Sequence, residues 1–121
     1  MERFEEFTRG SKKFIYIDFS GLKTDDDFLA AIKTVEPIIA KYPEHSLYTI
    51  TNIADIRFDT RSKEIVANYI GNNAPYIKHG AIIGVDGIKK IMLNSIFQLS
   101  GRKNLIFAFT KDKAIELLLK L

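Results

Sequence analysis

The chain has 121 residues, of which 46% are hydrophobic and 27% charged, so it fits one globular domain and wholesale disorder is excluded. It has no cysteine, which excludes disulfides, thiolate metal sites and a cysteine nucleophile. The net charge is +3, but no run of basic residues is longer than two, so we expect no nucleic-acid partner. No apolar run approaches the roughly 20 residues of a membrane-spanning helix, and "MERFEEFTRG" does not read as a signal peptide. We therefore expect a cytoplasmic protein without stable membrane insertion.

The first third of the chain predicts a hairpin followed by a helix. "RFEEF" and "KFIYIDF" are strand-like, and "TRGSKK" between them predicts a turn that leaves the first strand at a sheet edge. Thr24 is the predicted cap of a helix whose first turn is "DDD", where carboxylates complement the helix dipole. Pro37 lies inside the helical pattern and predicts a kink or a division. The buried stripe is predicted to contain Phe28, Ala31, Ile32, Val35, Ile38, Ile39 and Tyr42.

The rest of the chain alternates strands and helices. "SLYTITNI" predicts a strand, Thr60 the cap of a second helix that "GNNAP" ends, and "HGAIIGV" a strand buried on both faces. A third helix is predicted from Asp86 to Ser100, then a strand "NLIFAF" and a helix capped by Thr110. The order β-β-α-β-α-β-α-β-α predicts a single α/β domain over residues 1–121. Its sheet is five-stranded, mixed and mostly parallel, with an antiparallel N-terminal edge strand and four helices.

Ligands of open α/β sheets bind at the carboxyl ends of the strands, where "GVDGIKK" is the most site-like stretch. A helix start with nearby lysines can hold a phosphate, but this stretch lacks the glycine pattern of a P-loop. Asp86 as the N-cap would occupy the donors that an anion needs, so a capped helix is the favoured interpretation. The candidate anion or ligand edge consists of Arg57, Arg61, Asp86, Gly87 and Lys89.

The sequence contains no assembled catalytic or metal-binding set. His45 and His79 have no histidine or acidic neighbours at the spacing of metal ligands. We therefore expect no catalytic residues, no metal and no cofactor, and predict that the protein is not an enzyme.

Two apolar pairs on the last two helices predict an interaction surface. Leu93 and Phe97 are predicted to point away from the sheet, and Ile115 and Leu119 toward the side. Together they could form a patch for a partner or for a second copy of the chain. The alternative, which the pattern leaves open, is that the two helices pack against each other and bury all four residues.

Three stretches carry a resemblance to a known family. "KFIYIDFSGL", "SLYTITNIADIRFD" and "NAPYIKHGAIIGVDGIKKIMLNSIFQLSGRKNLIFAFTKDKAIELLLK" resemble small bacterial SpoIIAA-like proteins, relatives of the STAS domain of anti-sigma-factor antagonists. The resemblance runs from about Lys13 onward, and Pro75 to Lys78, Gly84 to Lys90 and Ser100 to Arg102 are its most specific parts. Most members of this group have no assigned activity.

The resemblance implies a regulatory module that docks on a partner protein and is released when one hydroxyl is phosphorylated. Thr60 occupies that hydroxyl position within Asp59-Thr60-Arg61-Ser62, where the family's second serine and glycine are absent. A plain N-cap is the alternative role of Thr60, and the local sequence favours it. The family also contains nucleotide binders, and a related lipid-transfer fold holds apolar ligands. The predicted function is a non-catalytic interaction module, which could form a homodimer through the apolar pairs; the alternative is a small-molecule, nucleotide or lipid-binding domain.

Overall fold

A computed structural model shows a five-stranded sheet with helices packed on its two faces, and it describes residues 3–57, 60–100 and 104–121. At positions 60, 88, 89, 92, 96, 97, 99 and 100 it describes the backbone but not the side chain. The elements in chain order are β1 (Phe4–Arg9), β2 (Lys12–Asp18), α1 (Asp25–Ile39), β3 (Leu47–Asn52), α2 (Thr60–Asn73), a 3-10 helix (Ala74–Tyr76), β4 (Ile77–Ile83), α3 (Gly87–Ser100), β5 (Leu105–Phe107) and α4 (Lys111–Leu119).

The strands lie side by side in chain order, β1-β2-β3-β4-β5. β1 is antiparallel to β2, and each later strand is parallel to the one before it. The predicted α/β class, the mixed sheet with its antiparallel edge strand, and the four helices are thus confirmed. None of the helices in the described residues is long and apolar enough to span a membrane.

The strand order determines which face each helix covers. Right-handed crossovers that always step in the same direction place their helices on one face of the sheet. The first face accordingly carries α1, α2 and α3, and its core includes Phe28 and Val35 of α1, Ile70 of α2 and Leu93 of α3. The second face carries α4. Its smaller core contains Phe14, Tyr48, Ile50, Ala81, Ile83, Ala114, Ile115 and Leu118.

Local sequence signals account for the best-predicted boundaries. The β1–β2 hairpin turns through Gly10 and Ser11, whose φ values are +56° and +69°, and a two-residue loop with both φ positive matches the twist of the strands. Thr24 and Thr110 cap α1 and α4: each hydroxyl accepts a hydrogen bond of 3.1 Å from the backbone N–H three residues later. Both predicted caps are confirmed.

Two boundaries differ from the prediction, and a third agrees with it. α1 runs undivided through Pro37 and ends two residues later, so of the predicted kink or division the division is wrong; a proline in the last turn removes one hydrogen bond without ending the helix. α2 ends at Asn73, inside the predicted stop "GNNAP", and passes directly into the 3-10 helix, whose first turn holds Pro75. β5 is three residues long, shorter than "NLIFAF".

Candidate functional site

The loops at the carboxyl ends of the strands are joined by backbone hydrogen bonds. Phe19 N–H donates to Asn52 O at 2.8 Å, Gly21 N–H to Ala54 O at 2.9 Å, and Ile53 N–H to Ile83 O at 3.0 Å. These bonds continue the ladder of the parallel strands beyond their ends. The loops after β2, β3 and β4 therefore form one connected edge.

Gly84 fixes the spacing between the loops after β3 and β4. Its φ is +78°, and a Cβ built on it would lie 2.6 Å from Ala54 N and 2.7 Å from Asn52 Oδ1. Asn52 Oδ1 itself accepts a 3.0 Å hydrogen bond from Ala54 N–H, while Asn52 Nδ2 donates to the Tyr16 hydroxyl at 3.1 Å. Both the conformation and the close approach require glycine at position 84.

The "GVDGIKK" stretch is a helix start in the structure. α3 begins at Gly87, and Lys90 N–H donates to Asp86 O at 3.0 Å, so Asp86 occupies the N-cap position as predicted. Gly87 is exposed, and apart from its own turn of the helix no described atom lies within 4 Å of where its Cβ would be. The side chain of Lys89 lies outside the described atoms, so its predicted role at an anion site stays a prediction.

The two predicted arginines lie near the first turns of α1 and α2. Arg57 is exposed, and its backbone N–H donates to Leu22 O at 3.0 Å. Arg61 Nε lies 3.2 Å from Asp25 Oδ2, so its charge is shared with the acidic first turn of α1. Thr60 is the first residue of α2, but its side chain is outside the described atoms. Both the capping and the phosphorylation hypotheses for Thr60 therefore stay predictions.

The predicted outward pairs on α3 and α4 are not both at the surface. Leu93 is 2% exposed and packs in the core of the first face, and Ile115 is 6% exposed and packs in the core of the second. Leu93 was predicted to point away from the sheet and Ile115 toward the side, and both orientations are wrong. Because the two residues lie on opposite faces of the sheet, the alternative of mutual packing between them is wrong too. Leu119 is exposed as predicted, and the Phe97 side chain lies outside the described atoms.

The helical phase of α3 explains this error. Ile91 is 74% exposed, whereas the orientation that turns Leu93 away from the sheet would bury it. Positions 91 and 93 are separated by about 200° around a helix, so they cannot both face the sheet. The sequence of α3 is apolar at seven of its first thirteen positions, which allows two alternative buried stripes.

The sequence analysis missed the most exposed aromatic residue of the described part of the chain. Phe109, between β5 and α4, is 94% exposed. It borders a groove of about 280 Å³ lined also by Val85, Asp86, Gly87, Lys90, Phe107 and Ala108. A signal was available: Phe109 directly precedes the cap Thr110, where an apolar side chain usually packs against the fourth helical residue, here the small Ala114. Its exposure shows that this contact does not form.

A larger cleft lies at the opposite edge of the sheet, where the edge strand is β1, and it is enclosed by β1 and α1. Its volume is about 770 Å³, within the range of small-molecule sites. The walls include Arg3, Phe4 and Glu6 from the first strand and the residue before it, and Ala30 and Thr34 from α1. Arg3 Nη1 donates to Asp18 O and to Ser20 O, both at 3.0 Å, which holds the guanidinium at the carboxyl end of β2.

Two titratable side chains have shifted pKa values with structural causes. Burial, and then the hydrogen bond and charge of Glu6, raise the pKa of Tyr42 to about 12. Burial, and then the charges of Lys78 and Lys12, lower the pKa of His79 below its ordinary value. The ring of His79 also packs against Tyr48, with centroids 5.9 Å apart. Within the described ranges, no three His, Asp or Glu residues come together as a metal site.

The comparisons with known proteins add no identification. The chain matches no protein-family model, and no curated protein matches it. Membership of a STAS-like family therefore stays a prediction from the sequence.

Proposed function

We propose that the protein is a non-catalytic, STAS-like regulatory module that binds a partner protein through an apolar surface at the end of β5. This surface, the Phe109 surface, consists of the exposed side chains of Phe109 and Ile91 and of the groove that Phe109 borders, whose other lining residues are Val85, Asp86, Gly87, Lys90, Phe107 and Ala108. The observation that carries the proposal is the exposure of Phe109, 94%, at the edge of a groove.

An exposed phenylalanine beside a groove is what a docking anchor requires. Covering such a ring contributes about 1.5–3 kcal/mol, and aromatic anchors near pockets dominate many interfaces. Ile91 lies one turn along α3 from the groove residue Gly87 and adds a second exposed apolar side chain, 74% exposed. Lys90 forms part of the polar margin, with its Nζ 5.3 Å from the centre of the Phe107 ring. An apolar centre with a charged margin is the usual composition of an interface.

The charge around the groove indicates what kind of partner fits. The described lining holds one acidic and one basic side chain, Asp86 and Lys90, while the nearby Lys111 and Lys113 are paired with Glu5 and Glu116. A margin with both signs of charge favours a partner segment that carries polar groups of both signs beside its apolar side chains. The proposed occupant is therefore an apolar segment of another protein with a mixed-charge margin.

The test is a comparison of Phe109→Ser with Leu29→Ser. Leu29 is an exposed apolar residue on α1, so its substitution is a matched control. Because both side chains are exposed, we expect neither variant to change Tm. A partner captured by the wild-type protein and then purified should bind Phe109→Ser with a Kd raised at least about tenfold, and Leu29→Ser normally.

Two outcomes would contradict the proposal. Equal affinity of a purified partner for Phe109→Ser and the wild-type protein would exclude the Phe109 surface. Sedimentation that shows a wild-type dimer and a Phe109→Ser monomer would identify a second copy as the occupant instead. A homodimer through the predicted set of Leu93, Phe97, Ile115 and Leu119 would need Leu93 and Ile115 at the surface, where they do not lie.

The cleft between β1 and α1 favours a second candidate, the binding of a small molecule, nucleotide or lipid. Its volume of about 770 Å³ and the fixed guanidinium of Arg3 are the observations that support it. A ligand that binds only the folded state should raise Tm in a screen of nucleotides, phosphates and lipids. Ala30→Phe would fill the cleft and abolish the shift, whereas Asn68→Phe, at an exposed position of α2, should leave it unchanged. A shift that survives Ala30→Phe would place the ligand elsewhere.

A further inference from the structure

A small cavity lies in the core of the first face, between the sheet and α2. Its volume is about 40 Å³, and it is separate from the Phe109 surface. Thr49 and Thr51 of β3 form part of the sheet wall, and Tyr69, Ile70 and Asn73 form part of the α2 wall. The other described residues of the lining are apolar.

Asn73 is a buried polar residue whose donor is unsatisfied. Its side chain is 3% exposed, and within the described part of the chain its Nδ2 has no hydrogen-bond partner. Asn73 occupies the N-cap of the 3-10 helix, but its side chain makes no capping hydrogen bond there. Capping therefore does not explain the asparagine, and a buried amide without an acceptor is unfavourable.

The lining determines what kind of molecule would satisfy this amide. None of the described lining residues carries a charge at neutral pH, so a charged guest would lose its hydration without gaining a counter-charge. The volume of about 40 Å³ exceeds the roughly 10–15 Å³ that a cavity needs to hold one water, and it is far below the roughly 150 Å³ of a cavity that holds benzene. The guest must therefore be small and uncharged, and it must offer an acceptor.

We propose that this cavity is a binding site for a small, uncharged hydrogen-bond acceptor held by Asn73 Nδ2, beside the hydroxyl-bearing side chains of Thr49 and Thr51. An internal water and a small oxygen-containing organic molecule share this chemistry. Thr49 and Thr51 are two residues apart on one strand and so face the same side of the sheet as α2. A guest bound by Asn73 would bridge α2 to β3.

The experiment measures cavity occupancy by NMR in the wild-type protein, Asn73→Leu and Asn72→Leu. Leucine has as many side-chain heavy atoms as asparagine but no hydrogen-bond donor, and Asn72 is an exposed neighbour on the same helix, which makes it the matched control. Cross-peaks from water to the Asn73 amide and to the Thr49 and Thr51 methyl groups report a resident water. Methanol is the organic probe, and shifts of the same two methyl groups report its binding. Xenon, an apolar probe of similar size, reports whether the cavity persists in each variant.

We expect the wild-type protein and Asn72→Leu to show either the water cross-peaks or saturable methanol shifts. Asn73→Leu should lose these signals at the two threonine methyl groups while it still binds xenon. Water cross-peaks would identify the guest as water, and methanol shifts without them would identify an organic guest. The proposal is overturned if neither signal appears in the wild-type protein, or if either signal persists unchanged in Asn73→Leu.

Discussion

The two faces of the sheet are covered in different ways. Three helices pack on the first face, whereas one helix of nine residues, α4, packs on the second. The difference follows from the topology, because crossovers that step in one direction leave the second face without a crossover helix. In this chain a segment after the last strand, α4, covers it. Burial of the second face therefore depends on one helix, α4, whereas three helices share the burial of the first face.

Basic side chains complete the cover of the second face. Lys111 Nζ lies 4.6 Å from the centre of the Tyr16 ring and 5.4 Å from that of Phe7, and Lys12 Nζ lies 5.2 Å from that of Tyr48. Long basic side chains cover aromatic surface with their methylene groups while the charge stays in water. On the second face, α4 therefore covers the apolar core, and the lysine side chains cover the aromatic rings beside it.

The same lysines hold both ends of α4. Lys111 Nζ, at the start of the helix, lies 3.4 Å from Glu5 Oε1 of β1. Lys12 Nζ, on β2, donates to Leu119 O at 2.9 Å and to Leu121 O at 3.0 Å beyond the end of the helix. A cation at these carbonyls also complements the helix dipole.

The largest expected effect comes from removing one fully buried side chain on each face. Leu118 of α4 and Ile39 of α1 are both completely buried. Leu118→Ala and Ile39→Ala should each lower the free energy of unfolding by about 2–5 kcal/mol, measured by denaturant titration. The variants should differ in native-state hydrogen exchange. Leu118→Ala should release the α4 amides by local opening, whereas Ile39→Ala should affect all amides that exchange by global unfolding.

Leu119→Ala is the control for this comparison. Leu119 is exposed on the same helix, so its loss should change the free energy of unfolding by less than about 0.5 kcal/mol. If Leu118→Ala accelerated exchange in α1 and α4 equally, the two faces would form one cooperative unit. The two faces would then differ in how many helices cover them but not in local stability.

The predictable parts of the fold are those with a local chemical signal. The two threonine caps and the β1–β2 hairpin each depend on a few adjacent residues, and the structure confirms them. The start of α1 and the side that it buries were also predictable, because the helix has an acidic first turn and a single apolar stripe that can face the sheet in one orientation. Pro37 was misjudged because its effect depends on how near the helix end lies.

The site was less predictable because its features depend on helix orientation and tertiary packing. α3 has apolar residues around most of its circumference, so the sequence did not show that Leu93 rather than Ile91 faces the sheet. α4 covers a face alone, which turns Ile115 inward as well as Leu118. The unsatisfied amide of Asn73 arises from packing between elements distant in sequence, and no spacing within the chain reports it. For Phe109 the local sequence offers one sign of exposure, the small Ala114 at the position where an apolar residue before the cap usually packs.

The smallest expected effect is a pH dependence located on the second face. His79 of β4 packs beside Tyr48, and burial, followed by the charges of Lys78 and Lys12, lowers its pKa below the ordinary value of 6.5. The folded protein therefore binds the histidine proton less well than the unfolded chain does. The stabilisation from neutral His79 is fully present above pH 6.5 and is lost as the pH falls through the lowered pKa.

His79→Gln should remove this dependence, because glutamine does not titrate. Thermal unfolding between pH 7 and about pH 5 should show a smaller fall in Tm for His79→Gln than for the wild-type protein. His45→Gln is the control, since His45 is exposed in the loop before β3 and its substitution should leave the wild-type pH profile unchanged. The effect should be small because the second face leaves His79 partly in contact with solvent. The wild-type protein and His79→Gln could instead show the same Tm at every pH in this range. That result would contradict the prediction. It would mean that solvent screens His79 from the effects of burial and of the two lysines, and that the second face is more exposed to solvent at β4 than its aromatic contacts indicate.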